Sequence, residues 1–327
     1  MKALLCEAYG PPESLKLTEL ATPEPGPGEV LIKVNAAALN FPDLLFVSGQ
    51  YQVNIPPPFI PGLEAAGTVE AVGAGVCAVA TGQRVMVTAT HGMFAEYIVV
   101  KEREVAPTPD QLSDAEAASF LITYSTACHG LYDLAELKEG QLVLVLGAAG
   151  GVGSAAIELA KARGAQVIAA ASSADKLTFA ERCGADETID YSQVSLREEL
   201  KVLTAGRGVD VVFDPVGGDL ALPSLKALAW QGTYLVVGFA SGEIPQFPAN
   251  LTLLKEGSIT GVWWGTWASR QPQEQIRNLQ LMAGMVAEGK LKPRISASYP
   301  LTDYAAAFAD ISGRRALGKV VFDLTDS

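Results

Sequence analysis

The sequence contains few of the residues that most often bind zinc or form disulfides. Its 327 residues include only two histidines and four cysteines, and no two cysteines form a Cys-x-x-Cys pair. A disulfide framework and a structural zinc site are therefore both disfavoured, and reduced thiols are typical of an intracellular protein. The histidines, His91 and His129, are more typical of surface or hydrogen-bonded residues than of metal ligands. No metal site is predicted.

Positive charge and long hydrophobic runs are also scarce. Lysine and arginine number 24 against 36 acidic residues, a net charge of −12, which disfavours nucleic acid and anionic lipid as partners. The longest uncharged stretch, residues 44–63, contains four prolines and cannot form a membrane helix. The first apolar run ends at Glu7, short of the ~7–15 apolar residues of a signal peptide. We therefore expect a soluble, cytoplasmic protein with neither a nucleic-acid nor a membrane partner.

Apolar residues make up 49% of the chain and follow two different patterns. The amino-terminal third has Pro-Gly turns between short strand patterns, which indicates a mostly antiparallel, barrel-like domain. In the same part, Ser113 and Glu116 form a capping-box signature at the start of a helix. From Gln141 onward, strands that are apolar on both faces alternate with helices, which is typical of a parallel sheet covered by helices. These patterns predict strands at 3–6, 29–38, 67–72, 84–87, 94–100, 142–146, 166–171, 187–190, 209–214, 232–237 and 258–264, and helices at 152–163, 174–183, 196–204, 220–228 and 272–288.

The clearest motif is a strand that runs into a glycine-rich turn and then a helix. Residues 142–146 are followed by Gly147-Ala-Ala-Gly150-Gly151-Val152-Gly153. Glycine permits the tight turn and a close backbone approach, and a helix N-terminus offers free N–H groups to a pyrophosphate. This context predicts a dinucleotide site rather than a glycine-rich turn without a ligand.

The residues after the second strand of this unit indicate which dinucleotide binds. NAD-specific sites place an acid there, about 20 residues after the glycines, to bind the ribose 2′-OH. Here the strand ends in Ser172-Ser173, and the nearest acid, Asp175, falls in the following helix. Lys176, with Ser172 and Ser173, could contact a 2′-phosphate. The sequence predicts NADPH, the alternative being that Lys176 is only a solvated helix residue.

Several motifs together resemble a known family over essentially the whole chain. The chain is similar to the medium-chain dehydrogenases/reductases, and its Ala-Ala-Gly-Gly-Val-Gly, Ser-Ser-x-x-Lys-Leu and Asp-Pro-Val-Gly-Gly segments resemble the zinc-free quinone oxidoreductase branch. The resemblance implies an α/β fold: a Rossmann doubly wound parallel sheet over residues 124–264, and a GroES-like β-barrel catalytic domain from residues 1–123 and 265–327. The motifs that carry it are Asn40–Asp43, Gly49–Tyr51, Pro61–Gly67, Gly82–Val85, Gly147–Gly153, Asp210–Gly218 and Gly313–Lys319.

Two positions separate the chain from the zinc-dependent members of that family. Those enzymes have a cysteine where Asn40 stands and a histidine where Leu63 stands, and neither residue here can bind zinc. Without a Lewis acid an alkoxide is poorly stabilised, whereas a conjugated acceptor needs less help. The resemblance therefore implies hydride transfer from NADPH to a quinone or another α,β-unsaturated carbonyl, without zinc.

The resemblance also implies roles for individual residues. Asn40 and Tyr51 would face the nicotinamide, and Asp43 would order their loop. Tyr51 is the best candidate to donate a hydrogen bond or proton to the acceptor oxygen, the alternative being solvent. For Asn40, Tyr51 and Tyr124, purely structural roles are the alternative. Arg314 adjoins Arg315, and either could point inward. The remaining expected contacts are Thr123 and Tyr124 below the nicotinamide, Gly150, Gly151 and Val152 at the pyrophosphate, Ser172, Lys176, Tyr191 and Arg315 around the adenosine phosphate, and Phe239, Ala240, Trp263 and Trp264 beside the nicotinamide.

Two alternatives to a quinone reductase stay open at this stage. One is an enoyl-thioester or other enone reductase, since the same scaffold and hydride chemistry serve both. The other is a nucleotide-binding protein without turnover, because fold does not determine function. The resemblance further implies a homodimer, and the apolar segment 258–264, placed last in the sheet, is the expected edge strand at its interface. The alternative is that helix 272–288 covers this strand.

Overall fold

The computed structural model describes residues 1–325, which form two compact units. One unit comprises Met1–Ile122 and the chain from Lys292 onward, and the other comprises Thr123–Leu291. The second boundary therefore follows Leu291 rather than residue 264. The helix before it belongs to the second unit because Asn278 donates to Asp133 at 2.8 Å and Gln275 donates to Ser125 at 3.3 Å.

The secondary structure follows the two predicted patterns. The strands are β1 Lys2–Leu5, β2 Lys16–Glu19, β3 Glu29–Leu39, β4 Glu64–Val72, β5 Arg84–Thr88, β6 Tyr97–Lys101, β7 Val105–Pro107, β8 Leu142–Leu146, β9 Gln166–Ala171, β10 Glu187–Asp190, β11 Val209–Asp214, β12 Leu228–Val236, β13 Ser258–Gly261, β14 Ile295–Pro300 and β15 Lys319–Asp323. The α-helices are α1 Phe41–Val47, α2 Asp114–Ala118, α3 Leu121–Cys128, α4 Gly151–Ala162, α5 Ala174–Arg182, α6 Leu196–Leu203, α7 Ala221–Lys226, α8 Asn250–Leu253, α9 Trp264–Arg270, α10 Pro272–Ala287 and α11 Tyr304–Ser312.

The first unit is built around a sheet in the order β14-β15-β3-β4-β5-β7, and β6 also pairs with β3. The pairings are antiparallel except β14 with β15. The last two strands thus return to the first domain, as the sequence predicts. Phe94 and Phe322 meet edge to face in its core, with ring centroids 4.9 Å apart. The capping box of Ser113 and Glu116 is present at the start of α2.

The second unit contains a parallel sheet in the order β10-β9-β8-β11-β12-β13. All five residues of β8 are buried, which explains its uninterrupted apolar sequence. The order reverses between β8 and β11, and ligands of such sheets bind where the strand order reverses, at the carboxyl ends of the strands. The glycine-rich turn follows β8, on one side of this point.

Segment 258–264 is only partly a strand. Its place at the edge of the parallel sheet is confirmed, but β13 ends at Gly261 and Trp264 begins helix α9. Pairing stops here because the neighbouring β12 itself ends at Val236, whose carbonyl accepts the N–H of Val262 at 2.8 Å. Within residues 1–325, no helix has the length and apolar character needed to cross a membrane.

Candidate active site

Asn40 stands where a strand of the first unit turns into a helix. It follows the last residue of β3 and precedes α1, whose first turn contains Pro42. Its backbone N–H donates to Asp43 Oδ2 at 2.7 Å, which is one half of a capping box. The Asn40 side chain makes no hydrogen bond to the first turn of α1, and its Oδ1 accepts from Lys319 instead.

The amide of Asn40 belongs to a buried charged cluster, which we call the Glu64–Lys319 network. Asn40 Nδ2 donates to Glu64 Oε1 at 3.0 Å, and Lys319 Nζ donates to Asn40 Oδ1 at 2.6 Å and to Glu64 Oε1 at 2.8 Å. Three neighbouring strands, β3, β4 and β15, bring these residues together. Glu64 is 1% exposed and Lys319 is 4% exposed. Neither residue was assigned a role from the sequence, although a charge at the end of an apolar strand must be paired if it is buried.

Asp43 is fully buried beside this network. Burial raises the pKa of its carboxyl from 3.8 to about 7, against the lowering effects of the Asn40 N–H and the Lys319 ammonium, and the Glu64 charge raises it further. Among the described residues, Oδ1 of Asp43 has no hydrogen-bond partner. The predicted ordering role fits the contact with Asn40, and the carboxyl titrates near neutral pH.

Tyr51 follows α1 and packs on its end. Its ring lies 4.3 Å from that of Phe46, centroid to centroid, and it is partly buried against the core of the first unit. Burial, and secondarily the charge of Asp43, raise the pKa of its hydroxyl. The hydroxyl therefore stays protonated at neutral pH and can donate a hydrogen bond.

The glycine-rich turn of the second unit has the backbone that a pyrophosphate needs. Gly147 has a φ of +56°, and a Cβ on Gly153 would lie 2.3 Å from the Gly147 carbonyl oxygen, so other residues are disfavoured at both positions. Gly150 is the N-cap of the twelve-residue helix α4 and offers no side chain to its first turn. The N–H groups of Gly151 and Val152 stand at this positive helix end, where an anion is stabilised.

The predicted phosphate-binding residues gather at the ends of β9 and β10. Lys176 Nζ donates to Ser172 Oγ at 3.2 Å, and the Tyr191 N–H donates to the carbonyl oxygen of Ala171, the last residue of β9, at 3.2 Å. The acid nearest to this end along β10, Asp190, accepts from the N–H and hydroxyl of Ser192. A cation and hydroxyl groups, without an acid at the end of β9, suit a phosphate better than a free ribose hydroxyl.

Asp214, the last residue of β11, organises the loops that carry Phe239 and Ala240. Its Oδ1 accepts the N–H groups of Val216 at 2.7 Å and Gly217 at 2.8 Å, and its Oδ2 accepts the Tyr234 hydroxyl. The loop after β12 then bonds to this turn, since the Ala240 N–H donates to the Pro215 carbonyl at 3.1 Å. The sequence showed the Asp-Pro-Val-Gly-Gly motif but not this contact with Tyr234, which lies 20 residues further on.

Comparisons with known proteins agree with this geometry. Two family models match: "Alcohol dehydrogenase GroES-like domain" over residues 26–110 and "Zinc-binding dehydrogenase" over residues 151–283. The quinone oxidoreductase-like protein 2 homolog of Nematostella vectensis is 39% identical over 325 residues, 98% of this chain and 88% of that protein. The chain belongs to the medium-chain dehydrogenase/reductase family, in its quinone oxidoreductase-like branch.

Two solved structures of this family are also similar along their whole length. Escherichia coli quinone oxidoreductase complexed with NADPH has a TM-score of 0.92 and 28% identity, covering 99% of this chain and 100% of that chain. CurK enoyl reductase has a TM-score of 0.88 and 29% identity, covering 98% of each chain. The predicted fold class, a Rossmann sheet with a GroES-like domain, is therefore confirmed.

Asn40 and Leu63, the residues expected at zinc-ligand positions of this medium-chain dehydrogenase/reductase, have other partners in the structure. Asn40 is bound within the Glu64–Lys319 network, and Leu63 is buried in the apolar core. No group of three or more His, Cys, Asp or Glu side chains in residues 1–325 is arranged to hold a metal ion.

Five of the residues expected at the cofactor have other surroundings in the structure, and their roles at the cofactor stay predictions. The Tyr124 hydroxyl donates to Glu158 Oε2 at 2.7 Å inside the second unit, and its neighbour Thr123 is also buried. Arg315 lies three residues beyond the end of α11 and pairs with Asp310 of that helix at 2.9 Å. Trp263 is 59% exposed, and Trp264 Nε1 donates to Gln275.

Proposed function

We propose that the chain is an NADPH-dependent reductase that transfers a hydride to quinones or other α,β-unsaturated carbonyls without zinc. The observation that carries the proposal lies at the end of β9. Lys176 donates to Ser172 there, and no acid stands at the position where an NAD-specific site has one. The similar E. coli quinone oxidoreductase, solved with NADPH, supports the same cofactor.

The second unit supplies the residues that would hold NADPH. The N–H groups at the start of α4 are suited to bind the pyrophosphate of NADPH. Lys176 and Ser172 are suited to bind its 2′-phosphate. Phe239 and Ala240, held by the Asp214 turn, are suited to contact the nicotinamide. When bound, NADPH would supply a hydride from C4 of its nicotinamide. Catalysis then rests mainly on positioning and on exclusion of water.

The first unit supplies a hydrogen-bond donor for the acceptor. The neutral Tyr51 hydroxyl donates to the carbonyl oxygen on which negative charge develops. One hydride and one proton convert a quinone to a hydroquinone. Because its pKa is raised, Tyr51 is a better hydrogen-bond donor than proton source, so solvent supplies the net proton.

An enoyl-thioester reductase is the second candidate. The likeness to CurK enoyl reductase favours it, and the hydride chemistry is the same. A CoA- or carrier-linked enoyl substrate that outperforms simple quinones at equal concentration would select this candidate.

The experiment that tests the proposal is an acceptor panel under anaerobic conditions. NADPH oxidation is followed with a benzoquinone, a naphthoquinone, an enone and an enoyl-CoA, and stopped-flow detection of semiquinone distinguishes one- from two-electron reduction. We expect turnover with the quinones or the enone. Binding of NADPH without turnover of any acceptor would instead identify a nucleotide-binding protein that is not an enzyme.

A further inference from the structure

Glu64 uses both carboxylate oxygens within the first unit. Oε1 accepts from Asn40 Nδ2 at 3.0 Å and from Lys319 Nζ at 2.8 Å. Oε2 accepts the backbone N–H of Ile122 at 2.9 Å. Ile122 is the last residue of the first segment of the first unit and is followed directly by Thr123, the first residue of the second unit. One buried carboxylate thus contacts both Asn40 and Ile122. Asn40 and Thr123, the residue after Ile122, are both expected near the nicotinamide.

The partners of Asn40 determine how its amide is oriented. Lys319 can only donate, and it donates to Asn40 Oδ1 at 2.6 Å. Glu64 and the Ala38 carbonyl can only accept, and they receive the two N–H bonds of Nδ2 at 3.0 Å and 3.3 Å. If the amide were flipped, Nδ2 would face the Lys319 ammonium, a second donor. Oδ1 would then face Glu64 and the Ala38 carbonyl, which are both acceptors. The orientation is therefore fixed, and Lys319 uses one of the two lone pairs of Oδ1.

Stability alone does not account for this ion pair. Its two side chains are only 5% and 1% exposed, and replacing such a pair by apolar residues of similar volume is often neutral or stabilising. Removing one partner, by contrast, leaves a buried unpaired charge and is strongly destabilising. This contrast allows a positioning role to be separated from a structural one.

We propose that Lys319 and Glu64 are positioning residues for the hydride transfer. Lys319 fixes the Asn40 amide so that it presents only an acceptor, suited to a hydroxyl or amide N–H donor of the cofactor or substrate. Glu64 holds the Ile122 peptide that precedes Thr123. This inference rests on the proposed function and deepens it.

The test compares Lys319→Met, Glu64→Gln and the double variant with an exposed control pair. The control is Glu29→Gln with Lys101→Met, which removes an ion pair of the same 2.8 Å N–O distance, on β3 and β6 of the same unit. Thermal unfolding, the Kd of NADPH and kcat with a quinone are measured for each.

We expect both single variants to lose thermal stability and the double variant to regain most of it, because no unpaired charge remains. The kcat of Lys319→Met and of the double variant should fall between about tenfold and a hundredfold, as expected for misplaced reacting groups. The control pair, Glu29→Gln with Lys101→Met, should match the wild type in thermal stability, in the Kd of NADPH and in kcat. A double variant that regains both stability and kcat would reduce the network to a structural role and overturn the proposal.

A second readout keeps this test separate from the proposed function. If the wild type binds NADPH but reduces no acceptor, the proposed function fails, and the fluorescence of the bound reduced nicotinamide still reports its surroundings. We expect the emission maximum or intensity to differ between the wild type and the double variant at saturating NADPH. Identical emission would overturn the positioning role.

Discussion

Lys176 is the residue on which cofactor choice depends in this account. From the first turn of α5 its ammonium reaches Ser172, the residue directly after β9, where an NAD-specific site would have an acid. The chain carries a net charge of −12, so an anionic cofactor must be held by local groups such as this one.

Lys176→Ala should therefore raise the KM for NADPH about tenfold or more and leave the KM for NADH nearly unchanged, since a charge-assisted bond contributes about 1.5–3 kcal/mol. Steady-state kinetics with both cofactors measures this. Lys201→Ala, an exposed lysine on α6 of the same unit, is the matched control and should behave as the wild type. Equal losses with both cofactors would contradict the assignment.

Asp43 should give the folded protein a measurable dependence on pH. Its pKa is raised from 3.8 to about 7 in the fold, so its contribution to stability is complete below pH 3.8 and is lost as the pH rises to about 7. Asp43→Asn lacks this loss. The free energy of unfolding of the variant, relative to the wild type, should therefore increase between about pH 5 and pH 8.

Denaturant titrations at several pH values test this expectation. Asp110→Asn, at an exposed aspartate of the same unit, serves as the control and should show no such trend. Stability curves of wild type and Asp43→Asn that run parallel over this range would show that Asp43 is ionised throughout.

Only some of the individual residues of the candidate site were predictable from the sequence. Gly150, Gly151 and Lys176 could be found because their signals are local: a strand, a turn and the start of a helix. The partner of Glu64 could not, since Lys319 lies 255 residues further along the chain and meets it only when β15 joins β3.

The turn after β11 illustrates how an element can position a cofactor. Asp214 accepts two backbone N–H groups of that turn and the Tyr234 hydroxyl from β12. Removing the hydroxyl frees the buried carboxylate to shift and loosens the loop that carries Phe239 and Ala240.

Tyr234→Phe should reduce the affinity for NADPH several-fold and lower the free energy of unfolding by about 1–3 kcal/mol, the cost of an unsatisfied buried polar group. Tyr132→Phe provides the control, because its hydroxyl also bonds inside the second unit, to the Leu159 carbonyl at 2.8 Å, but contacts neither loop. We expect the control to lose stability without losing affinity. Affinity that falls equally in both variants would assign the effect to general destabilisation.

The exposed edge of β13 bears on assembly, and the homodimer remains a prediction. The Val262 N–H faces β12, and N–H groups of alternate residues point the same way, so the Ile259 N–H faces the free edge. Ile259→Pro should therefore shift a dimer toward monomer, as measured by light scattering, without breaking the pairing with β12. Ile259→Val should stay dimeric. A wild type of monomer mass, or a folded proline variant that stays dimeric, would exclude this edge as the interface.

Element boundaries were predictable where one pattern was unambiguous. Strands β8, β9, β10 and β11 lie at the predicted residues, because each is an apolar run between turn residues. Helix α11 is not among the predicted helices, since its alanine-rich sequence lacks a strong helical periodicity. The strand predicted at 258–264 is three residues longer than β13, because the sequence does not show where the neighbouring strand ends.

At the scale of the whole molecule, two units carry complementary chemistry. We propose that the strand ends of the second unit bind the dinucleotide, and the first unit contains Tyr51 and the Asn40 amide. The order of motifs along the chain was enough to predict the family and the fold class. The boundary after Leu291 was not predictable, because it depends on contacts of α10 with residues far earlier in the chain.

The measurement that tests the central claim most directly is the anaerobic oxidation of NADPH and NADH by one quinone, with a chelator present throughout. We predict that NADPH is oxidised in proportion to the quinone added, with a kcat/KM at least about tenfold above that for NADH. We also predict that prolonged chelation leaves the rate unchanged, because Asn40 and Leu63 offer zinc no ligand pair. Equal efficiency with both cofactors, loss of activity to the chelator, or no oxidation above the background without acceptor would contradict the account.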